Sequence, residues 1–211
     1  PPDDFLRRCL ERNHQWAEAI AQKDPEFFPN LAKGQAPKVL WLGCSDSRKP
    51  ETTIMGLQPG DVFTHRNIAN MVHPADLSLL SVVEFAVAHL KVAHIMLCGH
   101  TICGGVKATL ANDSLGPLDT WLHPMRVLRE QHADALAPLT PDDQTTQLAR
   151  LNVRHGVETL RRIPTVMAAV RDRGLQVHGL MYDLRNGRLD EVACDEDPAV
   201  AQKRIAAFGM K

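Results

Sequence analysis

Two short apolar runs decide what this chain can fold into. Val39-Leu40-Trp41-Leu42 and His94-Ile95-Met96-Leu97-Cys98 are continuous rather than alternating, the pattern of strands buried on both faces of a parallel sheet. Between them Asp76 precedes LSLLSVVEFAVAHL, a helical stretch opened by an N-capping residue. Strand, helix, strand in that order forms a right-handed parallel crossover, which predicts an α/β fold. Each run is also followed, one glycine later, by a residue that binds metals, Cys44 after the first and His100 after the second. Open parallel sheets gather ligands at the carboxyl ends of their strands, so two neighbouring strand ends can share one metal.

The rest of the chain fits around that unit. Phe5, Leu6, Cys9, Leu10, Trp16 and Ile20 recur at mostly helical spacing and predict an amphipathic helix. Pro25, Pro29, Gly34 and Pro37 then interrupt any helix before the first strand. From about Pro117 to Arg173 the pattern is helical, with polar breaks around Pro138 to Asp143 and a later segment started or kinked at Pro164. Val177 to Leu184 is the last strand candidate, Asn186-Gly187 signals a turn, and Pro198 can begin a terminal helix. At 211 residues one large domain is expected, divided into an N-terminal helical arm over 1–35 and an α/β core with C-terminal helices over 36–211.

A formal net charge of −1 gives no sustained field toward nucleic acid or an anionic membrane. No apolar run approaches the roughly 20 residues that span a bilayer, and PPDDFLRRCLERNHQW lacks the order of a secretory signal. The five cysteines are odd in number and scattered, which favours free or metal-bound thiols in a reducing cytoplasm.

The chemistry concentrates in two motifs. His100-Thr101-Ile102-Cys103 puts an imidazole and a thiol on one turn at a zinc-site spacing, and Gly104-Gly105 allows close backbone approach. Cys44-Ser45-Asp46-Ser47-Arg48 sets a thiol, an acid and a guanidinium at alternate positions, so an extended segment would project all three to one side. A phosphatase cradle would need Arg six residues after the Cys, where Pro50 stands.

CSDSR followed about fifty residues later by GHTICGG resembles the β-class carbonic anhydrases. The likeness continues through GQAPKVLWLGCSDSR, PGDVFTHRNIAN, LSVVEFAVAHLKVAHIMLCGHTICGG and HGLMYDL. The resemblance implies four parallel strands plus an added antiparallel strand, flanked by helices. It also implies one Zn2+ per chain on Cys44, His100 and Cys103, and a homodimer held by helical arms, often paired into a homotetramer. The activity implied is reversible hydration of carbon dioxide to bicarbonate by hydroxide on the zinc. Two thiolates and one imidazole leave a tetrahedral zinc one open position, as catalytic and not closed structural sites do, and thiolate charge predicts activity that rises toward alkaline pH. Asp46 held by Arg48 fits a gate and orienter. Gln35 matches the family's active-site glutamine, and Ile68 and Phe85 match its apolar substrate pocket, which Gly104 adjoins.

In a bacterial subset of the family, residues matching Trp41, Arg66 and Tyr182 bind bicarbonate as an inhibitor away from the metal. Many relatives carry an apolar residue directly after the motif arginine and a glutamate four residues after it; here these are Lys49 and Thr52, with Glu51 one position early. Related hydrolases of carbon disulfide or carbonyl sulfide use the same metal set. A non-catalytic zinc or bicarbonate-sensing module would be expected to break the Asp46–Arg48 pair, which is intact. Cys9 and Cys98 read as small hydrophobes, Cys194 reads as structural rather than redox-active, and none of His65, His73, His94 and His178 is assigned a role.

Overall fold

The computed structural model describes residues 4–209; residues 1–3, 210 and 211, which belong to the ends of the expected arm and core, lie outside the described residues. The chain separates into two compact units, Pro1–Ala36 and Pro37–Lys211.

The first unit holds α1 (Phe5–Lys23) and α2 (Phe27–Ala32). Arg7 pairs with Glu11 one turn on at 3.0 Å and with Asp4. Trp16 meets Phe28 edge-on at 5.7 Å, and Phe28 meets Phe27 in the same way at 5.1 Å. Pro29 does not interrupt α2: it lies in the first turn, where its missing N–H would have had no helical partner. No residue of α1 is buried.

The second unit is built on one sheet of five strands in the order β2-β1-β3-β4-β5. These are β1 (Val39–Cys44), β2 (Val62–Asn67), β3 (His94–His100), β4 (Gln176–Asp183) and β5 (Arg188–Val192). Strands β1 to β4 run parallel and β5 is antiparallel to β4, as the family resemblance implies. The Val177 to Leu184 segment is therefore not the last strand. Asn186-Gly187 turns it into β5, with Gly187 at φ 73°, a left-handed conformation natural to glycine.

Helices α3 (Glu51–Met55), α4 (Leu77–Glu84) and α5 (Gly104–Leu110) follow β1, β2 and β3. Asp76 caps α4 by accepting from the backbone N–H groups of Ser78 at 3.0 Å and Leu79 at 3.3 Å, which contributes about 1 kcal/mol. This helix continues as a π-helical turn over Phe85–His89. The long helical tract resolves into α6 (Pro117–Gln131), α7 (Ala133–Leu136), α8 (Pro141–Leu160) and α9 (Pro164–Arg173), with α10 (Pro198–Phe208) closing the chain. Thr140 caps α8, so Pro141 to Asp143 form its first turn rather than a break.

Two apolar clusters fill the core. Leu40, Leu42, Ile95 and Leu97 of the sheet meet Leu79, Val83, Val157, Leu160 and Val166 in one. Cys44, Cys103 and Met181 meet Leu122, Met125, Leu148 and Val153 in the other. α8 contributes to both, and the second cluster encloses the thiols at the strand ends. Among the described residues no helix is long and apolar enough to cross a membrane.

Candidate metal centre

Strands β1 and β3 are neighbours in register, Gly43 opposite Cys98. Cys44 and His100 thus leave adjacent strands at the same end, and the turn after His100 returns Cys103 toward them. Ile102 takes φ 56° in that turn, a left-handed conformation that β-branched residues rarely adopt and that costs of order 1–3 kcal/mol. Thr101 holds the turn from the other side: its hydroxyl donates to Asp183 Oδ1 at 3.1 Å and accepts from the Leu184 N–H at 3.0 Å.

The ligand atoms of Cys44, His100 and Cys103 all lie within 4.8 Å of one another and all three residues are buried. His100 Nδ1 stands 2.9 Å from the Thr101 carbonyl, which can only accept, so Nδ1 carries the proton. That leaves the lone pair on Nε2, which is buried and has no hydrogen-bond partner. A bare imidazole lone pair facing two sulfurs fits a thiophilic cation such as Zn2+. The sulfurs share one proton: the hydrogen bond from Cys103, with help from the Asp46 backbone and against the effect of burial, lowers Cys44 to about 4. Its thiolate partner and burial push Cys103 up.

Asp46 and Arg48 meet, but not on an extended segment. The chain turns after Cys44, and Asp46 Oδ1 accepts from the Arg48 backbone N–H at 3.0 Å, a side-chain-to-backbone turn of the kind Asp favours. The guanidinium then closes back on the same carboxylate through Nε at 2.9 Å and Nη2 at 2.7 Å. Arg48 is 52% exposed, and solvent screens an exposed ion pair, so the consequence of this fork is orientation rather than stability. It holds the Asp46 carboxyl well below the ordinary range. Asp46 Oδ2 stands 3.9 Å from His100 Nε2 and is not one of the clustered ligand atoms.

The remaining predicted residues are placed unevenly. Ile68 adjoins the metal turn: a Cβ on Gly105 would lie 3.1 Å from Ile68 Cγ2 and 3.0 Å from Ala69 Cβ. The close approach is therefore made at Gly105, whereas a Cβ on Gly104 would meet nothing. Trp121 Nε1 and Asn152 Nδ2 hold this segment by donating to the carbonyls of Ile68 and Ala69, each at 2.9 Å, and neither was marked by a motif. Phe85 stacks on Phe63 at 5.7 Å, and Phe85 and Ile68 are 45% and 42% exposed. Gln35 belongs to the N-terminal unit and is exposed.

Strand register puts Trp41, Arg66 and Tyr182 on one face of the sheet. Trp41 is fully buried, its indole N–H without a partner. Arg66 is already engaged, through Nε to the Cys44 carbonyl at 2.9 Å and through Nη2 to that of Asp46. Its Nη1 lies 3.8 Å from Glu51 Oε2, so Glu51 reaches the arginine although it stands one position early. The Tyr182 hydroxyl lies over the hairpin, 3.6 Å from where a Cβ on Gly187 would stand. Lys49, in the loop after Cys44, is also fully buried.

Comparison with known proteins agrees with this geometry. The carbonic anhydrase family model matches residues 39–189. A carbonic anhydrase of Emericella nidulans is 42% identical over 190 residues, covering 89% of this chain and 83% of its own length. The structure of the b-carbonic anhydrase CafA of Aspergillus fumigatus superposes with a TM-score of 0.97 at 51% identity, covering 99% of this chain and all of that one. One of two tetrameric β-carbonic anhydrases of Sordaria macrospora gives 0.90 at 48% identity over 92% of this chain and all of its own. With a parallel sheet that brings two thiols and an imidazole together at adjacent strand ends, the chain belongs to the β-carbonic anhydrases, a family of zinc lyases.

Proposed function

We propose that this chain hydrates carbon dioxide reversibly, with one zinc held by Cys44, His100 and Cys103. The observation that carries the reading is a buried set of three ligand atoms, with no fourth among the described residues, and Asp46 held aside by Arg48. Zinc bound there would keep an open position and lower the pKa of a water toward neutrality, less strongly than under neutral ligands because two thiolates donate charge. The side chains supply orientation. Asp46, ionised by its arginine, can only accept, so a water or hydroxyl beside it offers a hydrogen to Asp46 and presents a lone pair elsewhere. Ile68 and Phe85 offer apolar surface to an uncharged gas, and we assign Gly104 to the same pocket. The test is stopped-flow hydration of carbon dioxide against pH. A rate that climbs from neutral to alkaline pH is expected, and a rate no greater than that of buffer would refute the reading.

A self-associated form is part of the proposal. α1 leaves Phe5, Leu6, Leu10 and Trp16 exposed, and a helix with no buried face draws little stability from its own packing. We infer a homodimer, alone or paired into a tetramer, and a cytoplasmic setting that keeps the metal thiols reduced.

Regulation by bicarbonate is a second reading, supported by the unpartnered Trp41 N–H on the face shared with Arg66 and Tyr182. An anion that favours an inactive state would shift the activating pH upward. The expected result is a hydration profile that moves to higher pH with added bicarbonate, and moves less in Trp41→Phe and Tyr182→Phe. A profile unmoved by bicarbonate in all three proteins would leave these residues as packing.

A further inference from the structure

The most unusual buried group outside the ligand set is Lys49. Lysine is almost never fully buried unless paired, yet Lys49 has no exposed surface, and no carboxylate among the described residues forms an ion pair with it. Its ammonium donates to the Cys98 carbonyl at 2.8 Å and lies 5.4 Å from the centroid of the Trp41 ring. The ladder between β1 and β3 ends at Gly43 opposite Cys98, so this carbonyl stands where β1 parts from β3. The lysine reaches it from the loop that follows Cys44 and carries Asp46 and Arg48, while Cys98 lies two residues before His100.

We propose that Lys49 is a positioning residue for the metal ligands: its ammonium ties the loop after Cys44 to the strand that delivers His100 and fixes their separation. The inference rests on the zinc reading above. A buried ammonium is costly to desolvate, and replacing such a group with an apolar side chain of similar length is often neutral or stabilising. Lysine at this place is thus not explained by stability. The carbonyl and the indole face both recognise a cation, and methionine, of similar length, would fill the space without joining the two segments.

The experiment compares the zinc-loaded parent with Lys49→Met and Lys49→Gln. Zinc release into excess chelator is timed, the visible spectrum of the cobalt-loaded forms is recorded, and melting of the metal-stripped forms is measured. Loss of a partner that orients metal ligands lowers metal affinity by roughly 10–100-fold. Lys49→Met is therefore expected to release zinc about tenfold faster, with shifted cobalt–thiolate bands, while its stripped form melts no lower than the parent. Lys49→Gln, which keeps an N–H for the Cys98 carbonyl, is expected to fall between the two. Release rates and cobalt spectra equal to the parent's in both variants would overturn the proposal; if Lys49→Met does not fold, Lys49→Gln against the parent decides in the same way. Cys44→Ser separates the two claims: if it holds zinc as tightly as the parent, the ligand assignment has failed rather than the role of Lys49.

Discussion

Cys44→Ser should leave the protein without stoichiometric zinc and without hydration activity. A serine hydroxyl is a harder donor than a thiolate and stays protonated at neutral pH, whereas Cys44 is the sulfur that ionises readily here. Loss of an outer-shell partner alone costs roughly 10–100-fold in metal affinity, so loss of one of only three ligands should exceed that. The fold should survive, because Cys44 is one member of a large apolar cluster. Zinc per chain after dialysis, read beside the hydration rate, is the check, and Cys103→Ser should behave alike. A serine variant with one zinc per chain and the parent rate would remove Cys44 from the ligand set.

Arg48→Ala should separate zinc binding from activity. The guanidinium makes the two hydrogen bonds that hold Asp46 in place, and Asp46 Oδ2 already stands 3.9 Å from His100 Nε2. Released, the carboxylate can swing onto the metal and take the position water needs. The expected outcome is zinc content unchanged and hydration lowered by roughly 10–100-fold. Melting should hardly move, since so exposed an ion pair contributes little stability. The sign of its pH dependence follows from the direction of the shift. Arg48 lowers the Asp46 carboxyl, so what the pair contributes is present above the ordinary carboxylate pKa and lost only as pH falls through the lowered value. Parent and variant should therefore differ in activity across neutral and alkaline pH. Equal rates would reduce the pair to a surface contact.

The sequence made the metal ligands legible because two apolar runs each led, one glycine on, to a ligand, and parallel strands put their carboxyl ends side by side. It was less informative where local pattern and tertiary role diverge. β2 reads VFTHRN and β5 reads RLDEV, mixtures of polar and apolar residues without the continuous run that marks β1 and β3, and only the family resemblance implied the added antiparallel strand. Asp46 and Arg48 were paired by assuming an extended backbone; they meet because the Asp46 side chain makes a turn. Gly104 and Gly105 are adjacent and alike in sequence, and only packing against Ile68 and Ala69 shows which of them needs to lack a side chain. Lys49 is the sharpest case. A lysine between Arg48 and Pro50 has every local reason to face solvent, and nothing in its neighbours announces that the strand end above it offers a carbonyl and an indole face.

The central claim is that a single zinc on Cys44, His100 and Cys103 makes this protein a carbonic anhydrase. Its most direct test is to strip the metal with a chelator, return zinc in measured fractions, and follow carbon dioxide hydration by stopped flow at each step. Activity should be absent from the stripped protein and should rise in proportion to bound zinc up to one ion per chain. Full activity without metal, or an inactive protein that carries one zinc per chain, would contradict the account.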